Sequence, residues 1–247
     1  MKSPPLARFK NADIYRIIPS RYPPIDLYRG VAPAEDWEFL QKVAMRTNHR
    51  LNEQEFPTGL IRPEDRIAAS SSSYIMGPLS RPNPNGSRFA DNSFGIVYAG
   101  LDFETAQAEV IAQREAFLRA THQRPQRIDV RVVVMTLSGD LHDLTNEDAE
   151  VLADPQMTAR IGRQLRDAGS YGVLFNSLAR PQGLCIGVFR PAVLSNCRQE
   201  RHFAYVWDGT AISEVSEYSQ RELPTSRDGT RIFCGESQVP SVPGKKK

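Results

Sequence analysis

Residues 128–137 read Ile-Asp-Val-Arg-Val-Val-Val-Met-Thr-Leu. The run alternates apolar and polar side chains at first and then becomes uniformly apolar, the pattern of a strand in the middle of a sheet. The chain offers other short strand candidates to lie beside it. These are Ile14–Ile18, ended by Pro19, then Phe94–Ala99, Tyr171–Phe175, Gly183–Phe189 and His202–Trp207. Asp208-Gly209 reads as a hairpin turn leading to Thr210-Ala211-Ile212. Helices are predicted over Ala34–Thr47, from Asp102 onward, and over Gln156–Ala168 with Gly169 as the closing glycine. Asp140–Thr145 reads as a turn with a strand around Leu141.

A chain of 247 residues can bury a core without staples. Its three cysteines stand at no metal-like spacing, which fits a reducing cytoplasm and argues against a disulfide scaffold. The four histidines are scattered, and none forms an i, i+4 pair that could begin a zinc site. A net charge of +2 gives no ground for nucleic acid or a membrane surface as partner. No apolar run approaches membrane-spanning length, so a cytoplasmic protein is expected. Residues 1–12 are polar with two prolines and read as a flexible arm. The stretch 50–85 is irregular and rich in proline, serine and glycine, a long insertion inside the domain. Residues 215–247 turn polar and proline-punctuated, and are expected to form a disordered tail.

The chemistry-bearing stretch is Gly86–Glu109. A turn with Arg88 leads into a strand ending near Tyr98, and a helix capped by Asp102 carries Glu109 on its second turn. At 100° per residue Phe103, Ala106, Val110 and Phe117 share one sector, so that face is expected to be buried. Glu109 falls on its flank, while Glu104 and Glu115 point away. Taken alone, these residues read more readily as a surface turn, a core tyrosine and a solvated glutamate. Phosphate-loop, dinucleotide-fold, esterase-elbow and zinc-protease motifs are all missing. What remains is arginine, tyrosine, glutamate and serine without a metal. That set suits cleavage of a glycosidic bond to a cationic leaving group. Arginine grips a pyrophosphate, an aromatic ring packs beside the riboside, and a carboxylate stabilises the oxocarbenium-like sugar.

The segments Ile14-Tyr15-Arg16-Ile17, Gly86-Ser87-Arg88-Phe89, Val97-Tyr98-Ala99, Glu104-Thr105-Ala106-Gln107-Ala108-Glu109 and Phe175-Asn176-Ser177 occur in the order of a known pattern. Over residues 13–208, within a domain expected to span 13–214, the chain resembles the RES-domain family, NAD-degrading toxins of bacterial toxin–antitoxin systems. The resemblance implies an α+β fold: a mixed, strongly bent β-sheet with flanking helices, like that of ADP-ribosyltransferases. It implies NAD as substrate, cleaved at the nicotinamide–ribose bond by phosphorolysis or hydrolysis, with inorganic phosphate as the candidate co-substrate and no resident cofactor. It implies a helix-turn-helix antitoxin as partner, and leaves a homodimer open.

Carried over by position, Glu109, Arg88, Tyr98 and Ser177 are the catalytic set. Arg16, Arg88, Tyr98, Asn176 and Ser177 are the binding set. Two departures stand out. Many members carry Gly-Gly-Arg-Trp/Phe-Asn where this chain has Ser87 for the second glycine and Ala90 for the asparagine. An ADP-ribosyltransferase using the same residues is the alternative reading, and a catalytically silent binding protein is another.

Overall fold

The structure, a computed structural model, describes residues 4–20, 65 and 73–218. Within them lie β1 (Leu6–Pro19), α1 (Ser73–Ser80), β2 (Val97–Gly100), α2 (Phe103–Ala120), β3 (Gln126–Asp143) and α3 (Ala149–Ala153). They are followed by α4 (Pro155–Asp167), β4 (Gly172–Asn176), β5 (Leu184–Val188), β6 (Leu194–Trp207) and β7 (Ile212–Glu217). The fold is α+β, with one mixed sheet of seven strands and helices packed on it.

The apolar run in β3 is the axis of the sheet. Val130, Val132, Val133, Val134 and Met135 are fully buried, so both faces of the strand are covered. The sheet order is β1-β2-β5-β4-β3-β6-β7, and β1 pairs with β3 as well as with β2. The ladder β1-β2-β5-β4-β3 therefore closes on itself, and β6 and β7 extend it beyond β3. All pairings are antiparallel except β3 with β4. Closure explains the first core cluster. Ile14 and Ile18 of β1, Val97 and Ala99 of β2, Met135 and Leu137 of β3, Leu174 of β4 and Ile186 and Val188 of β5 meet in it. Tyr74, Ile75 and Leu79 of α1 pack into the same cluster.

Residues of opposite parity face outward, as strand alternation requires. On one side α4 covers Val173, Phe175 and Cys185 with Ile161 and Leu165, joined by Phe89 and Phe94 from the segment before β2. On another, Phe103, Ala106 and Val110 of α2 pack with Ile17, Val130, Val132, Val134 and Phe203. The outward residues Tyr98, Phe175 and Cys185 thus share one face, and α2 begins directly after β2.

Several boundaries differ from the sequence reading. Leu6–Ala12, expected as part of a flexible arm, is strand, pairing from Leu6↔His142 through Ala12↔Leu137. Backbone pairing holds it together with partial burial: Ala7 and Phe9 pack against the first core cluster, while Leu6, Arg8, Lys10 and Asn11 are exposed. The Arg8–Asp140 ion pair and a bond from the Asn11 amide to Ser138 Oγ support that pairing. Asn11 adopts φ 51° where the register shifts between Phe9 and Ala12. β3 likewise runs on to Asp143, with no turn at Asp140. Within the expected irregular insertion, Ser73–Ser80 is helical, and α3 was not foreseen. Phe117, placed in the buried sector of α2, is 55% exposed, since the last turn of the helix is covered through Leu118 instead. β7 continues to Glu217, three residues into the expected tail. The predicted helix at 34–47, residues 50–64 and 66–72 of the insertion, and 219–247 of the tail lie outside the described residues.

Candidate functional site

The Arg88 turn is a two-residue hairpin. The Ser87 amide donates to the Ala90 carbonyl at 2.7 Å and the Ala90 amide returns a bond at 3.3 Å. Gly86 precedes it at φ +74°, a left-handed conformation that favours glycine. Phe89 is swallowed by the core, and Arg88 lies half-buried with its guanidinium 5.2 Å from the centroid of the Phe175 ring. Such a cation–π contact holds a guanidinium in place while its N–H edge can still reach a ligand.

The turn is fastened to β2 by Tyr98. The Phe89 amide donates to Tyr98 Oη at 3.0 Å, and Oη shares a hydrogen bond with Ser87 Oγ at 2.9 Å. Burial pushes the Tyr98 phenol up, against smaller opposing effects from Ser87, the Phe89 amide and Arg88. The hydroxyl therefore stays protonated at neutral pH. The ring stands edge-on to Phe175, with centroids 6.5 Å apart. It also lies over Gly187, where a Cβ would come within 3.2 Å of it.

Glu109 arrives from α2, whose first turn is set by Asp102 accepting from the Thr105 amide at 2.7 Å. The carboxylate is held on one side. Ser177 Oγ donates to Oε1 at 2.6 Å, the Leu178 amide at 2.9 Å and the Ala179 amide at 3.3 Å. No donor among the described residues is placed on Oε2. Ser177 Oγ also accepts from the Ala179 and Arg180 amides, at 3.2 Å and 3.0 Å, so the loop after β4 curls around the hydroxyl. The serine therefore orients the carboxylate.

The charge and hydrogen-bonding environment of one buried thiol is shared by these groups. Cys185 is pushed up to about 12 by burial and by the Glu109 carboxylate, while the Arg88 guanidinium and a hydrogen bond to Ser177 act in the opposite sense. Arg88, Glu109 and Ser177 thus all act on the Cys185 thiol.

Arg16 and Asn176 are placed differently. Arg16 shares its strand face with Ile14 and Ile18, which belong to the core of the closed ladder, and its Nη1 donates to the backbone carbonyl of Tyr98 at 3.4 Å. It meets Tyr98 through the main chain, from the face of the sheet opposite to the phenol. The Asn176 side chain donates to the Thr145 carbonyl at 2.7 Å and ties two loops together. The structure thus brings together Arg88, Tyr98, Glu109 and Ser177, with Arg16 behind them and Asn176 turned aside.

Four residues that the sequence reading did not place in the site contribute to it. Phe175 is the platform for Arg88, and the Leu178 and Ala179 amides complete the grip on Glu109. Arg180 binds Asp102 and Thr105. Asp102 carried a signal as a helix cap, and Phe175 stood in the Phe175-Asn176-Ser177 segment without a role of its own. No group of three or more His, Cys, Asp or Glu side chains among the described residues is arranged to hold a metal ion. No helix among them is long and apolar enough to cross a membrane.

Comparison with known proteins places these residues in context. The profile of the RES domain matches residues 63–208, a span that includes Arg88, Tyr98, Glu109 and Ser177. The uncharacterized protein y4oC of Sinorhizobium fredii (strain NBRC 101917 / NGR234) is 32% identical over 201 residues, covering 81% of this chain and 85% of that relative. Among solved structures, the M. tuberculosis MbcT–MbcA toxin–antitoxin complex superposes with a TM-score of 0.36 and 16% identity, covering 51% of this chain and 74% of that one. The assignment rests on the sequence matches, which span more than half of the chain in one case and four-fifths in the other: this chain belongs to the RES-domain family.

Proposed function

We propose that this chain is a RES-type toxin that degrades NAD in the cytoplasm by breaking the nicotinamide–ribose bond. The observation that carries the reading is the one-sided grip on Glu109. Three donors fix Oε1 and leave Oε2 free to face a sugar. Nicotinamide needs no acid to depart, because the electron pair of the breaking C1–N bond neutralises the pyridinium nitrogen. The work left to the protein is to hold the dinucleotide and stabilise positive charge developing at the ribose. A preorganised carboxylate does the second without reorganising during the reaction. Arg88, stacked on Phe175, offers its guanidinium edge to the pyrophosphate, and Arg16 supports the same strand from behind. The neutral Tyr98 phenol keeps the Arg88 turn against β2.

Water or inorganic phosphate then attacks the sugar, giving ADP-ribose or its 1-phosphate. Such an activity is harmful to its own cell, so a helix-turn-helix antitoxin that covers the site belongs to the same proposal. The test is incubation of purified protein with NAD, with and without phosphate, following nicotinamide by chromatography. Release that depends on phosphate identifies phosphorolysis, and release without it identifies hydrolysis. Absence of nicotinamide in both buffers refutes the reading.

A further inference from the structure

Glu109 does not meet its donors by chance packing, because the loop that carries them is tied twice to one face of α2. Ser177 Oγ and two amides bind Glu109. Arg180 Nη1, three residues further on, donates to Asp102 Oδ1 and to Thr105 Oγ1, both at 2.9 Å. Thr105 and Glu109 are four residues apart, so they lie on the same helix face about 6 Å from each other along the axis. The loop therefore lies along the helix with one tie on each of two successive turns.

Asp102 joins the two ends of this arrangement. Its Oδ1 accepts from the Thr105 amide and from Arg180, and its Oδ2 accepts from the Thr105 hydroxyl at 2.8 Å. Inside the loop, the Ser177 amide donates to the Gly183 carbonyl at 2.8 Å and the Gly183 amide to the Arg180 carbonyl at 3.1 Å. Gly183 lies so close to the helix that a Cβ there would stand 2.7 Å from Thr105 Oγ1. The loop is thus packed against the helix at Gly183 as well as tied to it by Arg180.

We propose that Arg180 is a positioning residue. By clamping the 177–183 loop to Asp102 and Thr105, it holds the Leu178 and Ala179 amides and the Ser177 hydroxyl on Glu109 Oε1 and so keeps Oε2 aimed at the substrate. The inference rests on the reading of Glu109 as the working carboxylate. Arg180 itself acts only through the loop. The ion pair is exposed to a similar degree on both sides, 40% and 41%, so it adds little to global stability. Its effect is local.

The experiment uses the full chain with Arg180→Ala, Arg180→Lys and Asp102→Asn. The last keeps an N-cap side chain that accepts from the Thr105 amide but removes the charge that pairs with Arg180. Arg180→Ala is expected to lower kcat for nicotinamide release by roughly tenfold to a hundredfold, the scale of an ångström-sized misplacement, with KM changed far less. Its melting temperature should stay within about 4 °C of wild type. Amide hydrogen exchange at Leu178 and Ala179, read by NMR, should accelerate in Arg180→Ala and in Asp102→Asn. Arg180→Lys, which can still pair with Asp102, should recover part of both kcat and protection.

Unchanged kcat and unchanged exchange in Arg180→Ala overturn the clamp. A loss confined to KM overturns it too, since it would mean that Arg180 touches substrate. The exchange arm needs no substrate. If wild type releases no nicotinamide, the NAD reading fails while exchange at Leu178 and Ala179 still decides the clamp.

Discussion

Gly162 offers a direct test of how α4 and the Arg88 turn depend on each other. It is buried on α4, and an ideal Cβ at that position would sit 1.8 Å from the Phe89 carbonyl oxygen and 2.7 Å from the carbonyl carbon. Ordinary contact begins near 3.4 Å, so Gly162→Ala forces a separation of about 1.6 Å between helix and turn. The obstacle is backbone and cannot swing aside as a side chain would. Overpacking of this kind costs about 1–3 kcal/mol. The better helix propensity of alanine returns about 1 kcal/mol. The contact here is far inside the usual range and is flanked by buried Ile161 and Leu165, so the upper part of the range applies. A net loss of about 2 kcal/mol corresponds to a fall in melting temperature of roughly 4–8 °C for a chain of this size.

The functional consequence follows from geometry. Phe89 is the residue whose amide donates to Tyr98 Oη, and Arg88 precedes it. Pushing the Phe89 carbonyl away from α4 strains that bond and lifts the guanidinium from the Phe175 ring. Gly162→Ala should therefore weaken NAD binding as well as stability, and Gly162→Ser should be worse on both counts. Thermal melts by circular dichroism and the KM for NAD are the assays. A melting temperature equal to or above that of wild type, with KM unchanged, would refute the reasoning.

Other perturbations give separable outcomes. Glu109→Gln keeps the side chain's size and an acceptor for Ser177 but removes the charge, and turnover should fall by about two orders of magnitude or more; near-normal turnover by a folded variant would remove Glu109 from the mechanism. Arg88→Ala should raise the apparent KM for NAD more than it lowers kcat, because a phosphate contact is made in ground and transition states alike. Tyr98→Phe leaves the Phe89 amide without its acceptor, at a cost of about 1–3 kcal/mol, seen as a lower denaturant midpoint. His142 and His202 are both held below the usual histidine range by burial, with the Arg131 cation adding to the effect at His202. The unfolded chain then binds more protons than the folded one, so stability is full above the unfolded value near 6.5 and falls as pH drops below it. Melting temperatures between pH 7 and pH 5 should decline, and a His142→Gln/His202→Gln double variant should decline less.

The sequence made the framework legible where a local rule was enough. The apolar run in β3 demanded a central position and took it. Asp102 is an N-cap side chain and caps α2, and Gly169 closes α4 at φ +87°. Helical phase put Glu109 at the margin of a buried face, where it is half-buried. What escaped was set by contacts between distant segments. Leu6–Ala12 follows a proline-containing polar start, and its pairing with β3, with Ala7 and Phe9 packed against the core, makes it a strand. Phe117 obeys the periodicity of its helix, yet the last turn is covered through Leu118 instead. The donors at Leu178 and Ala179 are backbone amides, which any side chain could carry, so no residue type announces them.

The two departures from the family pattern at the Arg88 turn can be judged in the same terms. Of the turn residues 86–90, Gly86 alone has a positive φ, so Ser87 occupies a conformation open to any residue. Its hydroxyl adds a bond that glycine could not make, to the same Tyr98 Oη that receives the Phe89 amide. Ala90 is 2% exposed in the cluster with Phe89, Phe94 and Phe175. An asparagine there would have to bury an amide among aromatic rings, at the cost of an unmet hydrogen bond unless a partner were supplied. Ser87 and Ala90 therefore act as a pair: one moves the polar contact to the tyrosine side of the turn, and the other fills the core side. The guanidinium of Arg88 remains on Phe175, beside a thiol that also senses Glu109 and Ser177. Neither substitution removes a part of the cluster, so neither is by itself a reason to regard the site as silent.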